Sequence, residues 1–154
     1  MKIVSNTSPL VALNHVGELD LLRGVFGSVI VIPPAVQQEL GSRSLPKWIS
    51  VRVLEERTAV RIVQASLGAG ESEAIALAVE IGADLILLDD KAARRLAASV
   101  GLSVIGTLGV LLRAKEVGLI PSIASKIEAL RSLPFRIAPS LHDLVLRAAG
   151  EQMH

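Results

Sequence analysis

The sequence predicts an α/β fold, a three-layer sandwich with a mostly parallel central sheet. Three observations lead there. Short apolar runs at Ile3-Val4, Val29-Ile30-Val31-Ile32 and Leu85-Ile86-Leu87-Leu88 have the length and continuity of strands buried on both faces. The segments between them carry apolar residues at helical spacing, with Pro, Ser or Thr at their starts and Gly at their ends. Strands and helices also alternate along the chain, which is the pattern of a parallel sheet built from crossover units. At 154 residues the chain reads as a single domain over 1–154, long enough to bury roughly two thirds of its unfolded surface.

Lys2 to Ser5 is the first strand. Asn6-Thr7-Ser8-Pro9 ends it and opens a helix, since a hydroxyl residue before a proline is a helix-start signal. That helix presents Leu10, Leu13 and Val16 on one face and stops at Gly17. A short helix from Leu19 to about Arg23 leads through Gly24 and Gly27 to the second strand, Ser28 to Ile32. Pro33-Pro34 closes this strand and opens the helix Ala35 to Leu40, ended by Gly41. After a polar loop, Ser42 to Lys47, a more peripheral strand spans Ile49 to Leu54. Glu55 to Ser66 reads as a charged helix with Val60 and Val63 inward. Leu67 to Gly70 turns into the helix Glu71 to Ile81, whose apolar face is Ala74, Ile75, Ala78 and Val79. The strand ending in Asp89-Asp90 follows, then a helix from Lys91 to Val100, a strand from Leu102 to Ile105 and a helix from Leu108 to Val117. Pro121-Ser122 starts a helix to about Leu133. Phe135 to Ile137 is extended, and Pro139 starts a last helix ended by Gly150.

Composition excludes several chemistries. There is no cysteine, hence no disulfide, thiolate metal site or cysteine nucleophile. No run approaches the roughly 20 apolar residues of a membrane span, and the opening residues turn polar too soon for a signal peptide. A cytoplasmic protein is the expectation. With 16 basic against 15 acidic residues there is no global nucleic-acid signature, so any nucleic-acid contact comes from local clustering. Three aromatic residues, Phe26, Trp48 and Phe135, are too few for a base-stacking platform.

The acids are more informative. Two adjacent aspartates at a strand end repel one another, and in an open parallel sheet the carboxyl ends of the strands border the crevice where chemistry sits. Asn6 ends the first strand, and Glu71 and Glu73 lie in the first turn of the helix before the Asp89-Asp90 strand. A helix dipole stabilises such acids by about 0.3–1 kcal/mol each without any site, and residues two apart on a helix do not face one point. Asp89 and Asp90 likewise alternate in direction, and Asp90 is equally suited to cap the following helix. Glu39 stands near a helix C-terminus, where an anion is disfavoured; a compensating cation or simple solvation accounts for it. Gly68-Ala69-Gly70-Glu71-Ser72-Glu73 opens like a phosphate loop but lacks the third glycine, and its two acids repel phosphate. His15, His142 and His154 are isolated in sequence. Thr7 and Ser8 read as capping residues rather than nucleophiles.

Four stretches together, Val4-Ser5-Asn6-Thr7-Ser8-Pro9-Leu10, Ile32-Pro33-Pro34-Ala35-Val36-Gln37-Gln38-Glu39-Leu40, Gly70-Glu71-Ser72-Glu73-Ala74-Ile75-Ala76-Leu77-Ala78 and Leu87-Leu88-Asp89-Asp90, resemble the PIN-domain family. The similarity is strongest to a prokaryotic branch related to VapC-type toxin ribonucleases, in which Ala93-Arg94-Arg95 and Gly106-Thr107-Leu108-Gly109-Val110-Leu111 also have counterparts. The resemblance implies a PIN-like fold and a metal-dependent ribonuclease, often the toxin of a toxin–antitoxin pair. Carried over, the family's acids fall on Asn6, Glu39, Glu73 or Glu71, and Asp89 or Asp90. They imply Mg2+ or Mn2+ held by carboxylates, with Glu39, Glu73 and Asp89 as the catalytic acids and RNA as substrate. On the same resemblance Ser8 would add a hydrogen bond to the site and Lys91, Arg94 and Arg95 would hold the phosphate backbone, although a solvated helix face is the ordinary reading of such basic residues. A cognate antitoxin and a homodimer are the partners the resemblance implies.

One departure stands out: the family's first acid is usually aspartate, and this chain has Asn6. The amide oxygen still ligates a hard cation but brings no charge, which weakens a Mg2+ site. A catalytically attenuated PIN-like module that binds RNA or a protein is therefore the rival reading. A third is phosphotransfer through Asp89 or Asp90 as nucleophile.

Overall fold

A computed structural model of the chain describes residues 1–133 and 145–151. The expected extended segment Phe135 to Ile137, the helix start at Pro139, and His142 and His154 lie outside the described residues. Within the described residues two compact units are present, Met1–Val11 with Ser28–Gly106, and Ala12–Gly27 with the residues from Thr107 onward.

The first unit holds a five-stranded sheet: β1 (Ile3–Ser5), β2 (Ile30–Ile32), β3 (Ile49–Val51), β4 (Leu85–Leu87) and β5 (Val104–Ile105). Their order is β3-β2-β1-β4-β5, and every pairing is parallel. This is the expected α/β class, with a sheet wholly rather than mostly parallel. β1 lies at the centre, with Ile3 opposite both Ile30 and Leu85. The central strands Ile3, Val4, Ile30, Ile32, Ile86 and Leu87 are completely buried, as continuous apolar runs in a covered parallel sheet must be.

Helices in chain order are α1 (Thr7–His15), α2 (Leu21–Phe26), α3 (Pro34–Leu40), α4 (Thr58–Val63), α5 (Ala69–Ile81), α6 (Lys91–Ser99), α7 (Thr107–Glu116) and α8 (Ala124–Leu130). Residues 145–148 form a further helical turn. α5 supplies most of the apolar layer over the first unit's sheet: Ala74, Ile75, Leu77 and Ala78 pack with Val4, Ile86 and Leu88, joined by Val60 of α4 and by Ala93 and Ala97 of α6.

Several boundaries differ from the sequence expectation, each for a local reason. α1 begins at Thr7 rather than at Pro9; Pro9 still lies in the first turn, where its missing N–H had no intrahelical acceptor to lose. Gly24 does not stop α2. The helix continues to Phe26, and Gly27 ends it in the left-handed conformation (φ 62°), whereas Gly24 is small because a Cβ there would lie 2.9 Å from Leu119 Cδ1. β3 ends at Val51, and α4 starts only at Thr58. The intervening backbone is held instead by side chains: Glu80 accepts from the N–H groups of Glu55 and Glu56, and Glu56 Oε1 accepts from Thr58 N and Oγ1. α5 begins two residues early, at Ala69, which leaves Glu71 in the first turn and moves Glu73 beyond it. Val79, expected inward, is 52% exposed.

In the second unit, Leu22, Leu111, Ile127 and Leu130 are buried, and the Arg113 guanidinium lies 5.9 Å from the Phe26 ring centroid, within cation–π range. α8 starts later than Pro121-Ser122 suggests. Its first N–H groups, on Ile123 and Ala124, donate to the Glu151 carboxylate, which also accepts from Ser122 Oγ and pairs with Lys115 Nζ at 2.8 Å. His15, the isolated histidine that lies within the described residues, is within hydrogen-bond distance of Ser132 Oγ (2.8 Å).

Candidate functional site

The strand order reverses at β1. β2 and β3 lie on one side of it, β4 and β5 on the other. The carboxyl ends of β1 and β4 therefore border the switch-point crevice, where open parallel sheets place their ligands. Asn6 follows β1 and Asp89 follows β4 by two residues, so both come from the carboxyl ends of two adjacent strands that are distant in the sequence.

Asn6 is 3% exposed. Its N–H donates to Leu87 O at 3.0 Å, extending the β1–β4 ladder by one residue, and its carbonyl accepts from Ser5 Oγ. Its side-chain Oδ1 is buried and has no hydrogen-bond partner among the described residues. Such an oxygen costs free energy, on the order of 1–3 kcal/mol, unless something fills its lone pairs.

Glu39, at the end of α3, reaches the start of α5. Its Oε1 accepts from Gly70 N at 3.0 Å and its Oε2 from Thr7 Oγ1 at 2.6 Å. The compensation for an anion at a helix C-terminus is thus the N-terminus of another helix and a hydroxyl. Gly70 is what admits the carboxylate: a Cβ there would lie 2.6 Å from Oε2 and 2.8 Å from Cδ. Glu73, 8% exposed, points the other way. Its Oε1 accepts from Ala35 N in the first turn of α3 at 3.1 Å, and its Oε2 lies 3.5 Å from Arg57 Nη2.

Glu71 stands between acids. Burial pushes its carboxyl above the ordinary carboxylate value, and the charges of Asp90 and Glu39 push it further. Asp90 itself caps α6, accepting from Ala93 N at 2.9 Å, as its position before Lys91 allowed. Ser8 is half-buried, Lys91 and Arg95 are exposed, and Arg94 is half-buried with Nη1 donating to Leu88 O at 3.0 Å.

The structure therefore brings Asn6, Glu39, Glu71, Glu73, Asp89 and Asp90 to the first unit, but gives them different tasks. Glu39, Glu73 and Asp90 each hold backbone N–H groups. Among the described residues, no three His, Cys, Asp or Glu side chains converge as a metal-holding group. Sequence reasoning missed Thr7 as the partner of Glu39, and Gly70 and Gly106 as the bare backbone that two carboxylates approach. A lone glycine in a helix's first turn carries no mark of its neighbour in sequence, so only the small size of Gly70 hinted at it.

A family model described as DUF3368, a PIN domain, matches residues 2–151. Neither curated proteins nor solved structures give a significant match.

Proposed function

The chain belongs to the PIN-domain family, whose members are nuclease-like, generally use divalent metals and commonly bind RNA; on that basis we propose that it is a metal-dependent ribonuclease. The observation that carries this reading is Asn6 Oδ1, buried at the switch point without a hydrogen-bond partner among the described residues, next to the strand that leads to Asp89. An oxygen of that kind fits a hard cation. Mg2+ typically takes one or two carboxylates and keeps several waters, so the lack of a three-acid group among the described residues is compatible with it. Asn6 and Asp89 would hold the ion, with Glu71 as the third donor. When bound, such an ion supplies a water nucleophile at neutral pH and neutralises charge at the phosphodiester.

The protein's own residues do the rest. Glu39, Glu73 and Asp90 fix the starts of α5, α3 and α6, which border the site. Glu71, whose carboxyl is pushed above the ordinary carboxylate value by burial and by the charges of Asp90 and Glu39, gains in the ion the positive partner that its surroundings lack. Lys91 and Arg95, exposed on α6, supply charge for the RNA backbone. No helix of the described residues is long and apolar enough to cross a membrane; the RNA proposed as its substrate is cytoplasmic. The VapC-like role adds a cognate antitoxin, to be sought in the neighbouring reading frame, and a homodimer, to be measured by light scattering.

Asn6 favours one rival, a PIN-like module that binds RNA or a protein with little cleavage. Asn6→Asp separates the two. Titration with Mn2+ and cleavage of an RNA pool, measured on both forms, should show binding in the wild type and a gain in both quantities in the variant. Cleavage by neither form across divalent metals would leave the binding module as the better account.

A further inference from the structure

Lys91, Arg94 and Arg95 form one basic stretch in sequence, yet Arg94 is spent differently. It alone of the three is half-buried, and its Nη1 donates to the carbonyl of Leu88 at 3.0 Å, the residue through which β4 passes to Asp89. Gly106, buried after β5, faces the same point. A Cβ built on Gly106 would lie 2.8 Å from Asp89 Oδ1 and 3.3 Å from Leu88 O, and would overlap Arg94 Nη1. Gly106 is not among the glycines with positive φ, so space and not backbone conformation requires its small size. Guanidinium, carboxylate and carbonyl are thus gathered over one backbone position that carries no side chain.

We propose that Arg94 is a positioning residue for Asp89, and that Gly106 makes the room for it. The proposal rests on the ribonuclease reading, in which Asp89 is a metal donor. A guanidinium offers several N–H donors in a rigid fork. One is tied to Leu88 O, which fixes the head group against the backbone that carries Asp89. A phosphate contact needs the opposite, a head group free toward solvent.

The two roles predict opposite signs. As a bare charge, Arg94 repels a cation at Asp89, so its removal should tighten metal binding. As a positioning residue its removal should weaken metal binding, since outer partners of a metal ligand typically contribute about 10–100-fold in affinity. The test measures Mn2+ affinity by calorimetry on the full chain, and affinity for a single-stranded RNA oligonucleotide in EDTA. Arg94→Lys keeps the charge and loses the fork, and should weaken Mn2+ binding by about tenfold with RNA affinity unchanged. Gly106→Ala, which displaces the guanidinium from a buried position, should do the same, and the double variant should be no weaker than either single one. Should Gly106→Ala fail to fold, Arg94→Gln takes its place and should weaken Mn2+ binding as Arg94→Lys does. Mn2+ affinity that is unchanged or tighter in Arg94→Lys, or RNA affinity that falls with a shallower salt dependence in Arg94→Gln, where the charge is gone, overturns the proposal. Wild-type protein that binds no Mn2+ overturns the metal reading itself, a result distinct from wild-type binding that the variants leave intact.

Discussion

Glu39 and Glu73 exchange helix caps. Glu39 on α3 accepts from Gly70 N in the first turn of α5, and Glu73 on α5 accepts from Ala35 N in the first turn of α3. Neither helix has a capping side chain of its own: the residues before them are Pro33 and Gly68. Each helix therefore satisfies one of the other's orphan N–H groups, and the two negative charges sit at the two positive helix ends. The acids that a metal centre would claim are also what joins α3 to α5.

This arrangement separates amide-compatible from charge-dependent roles. An amide oxygen still accepts a hydrogen bond from a backbone N–H, so Glu39→Gln should retain most of the stability. Glu39→Ala should lose about 0.5–2 kcal/mol, the usual cost of a cap. Glu73→Ala should cost at least as much, because Glu73 is nearly buried and its loss also leaves a cavity. Urea unfolding of the variants reads these differences. A loss in Glu39→Gln equal to that in Glu39→Ala would show that charge, not the hydrogen bond, matters.

Gly70→Ala reverses an ordinary rule. Alanine in a helix is favoured over glycine by about 1 kcal/mol, but here the new Cβ would overlap the Glu39 carboxylate, and forced repacking typically costs about 1–3 kcal/mol. Gly70→Ala should therefore destabilise the wild type. In a Glu39→Ala background the obstacle is gone and the same substitution should be neutral or stabilising. The sign change between backgrounds, read from two denaturation midpoints, is the test. Destabilisation of equal size in both would mean that something other than Glu39 fills the space.

Much of this was legible in the sequence where the cause is local. The strand ending in Asp89-Asp90 follows from a short apolar run, and the Asp90 cap follows from an aspartate three residues before the Ala93 N–H it binds. The family pattern named Asn6, Glu39, Glu71, Glu73 and Asp89 together, and all five lie in the first unit, without three acids converging among the described residues. What escaped was set by partners remote in sequence. Nothing near Glu39 announces Gly70, thirty-one residues on. Nothing near Glu55 announces Glu80, which holds that backbone out of α4. Gly24 looked like a helix stop because a glycine that admits a neighbour and one that turns the chain are the same letter; only the contact with Leu119 tells them apart.

Glu71 should make the protein respond to pH and to divalent ions in a linked way. Burial first, then Asp90 and Glu39, raise its carboxyl above 4.5. A raised acid favours the native state while protonated, so its contribution is present below the unfolded value and is lost as pH rises through the folded one. Glu71→Gln should therefore stabilise the metal-free protein at neutral pH, with the gain vanishing below about pH 4.5. If the site binds Mn2+ as proposed, the ion should stabilise the wild type more than the variant. Thermal melts across pH, with and without Mn2+, read both effects. A variant less stable than wild type at pH 7 would show that the Glu71 charge is satisfied in the metal-free protein.

A second pH response, of opposite sign, should come from the other unit. Burial alone would raise the Glu151 carboxyl, but the Lys115 ammonium, the Ser122 hydroxyl and the N–H groups of Ile123 and Ala124 outweigh it and hold it down to about 2. A depressed acid contributes stability that is present in full above its unfolded value of 4.5 and is lost as pH falls toward 2. This is the reverse of the Glu71 case, so the two groups should divide the pH axis between them. In Glu151→Gln the neutral amide cannot pair with Lys115 at any pH. The variant should be less stable than wild type at pH 7, and the gap should close between about pH 4.5 and pH 2. Amide exchange should place the loss at the start of α8, where Ile123 and Ala124 donate to this carboxylate. A gap that stays constant down to pH 2 would mean that shape and hydrogen bonding, not charge, make the Glu151 contact.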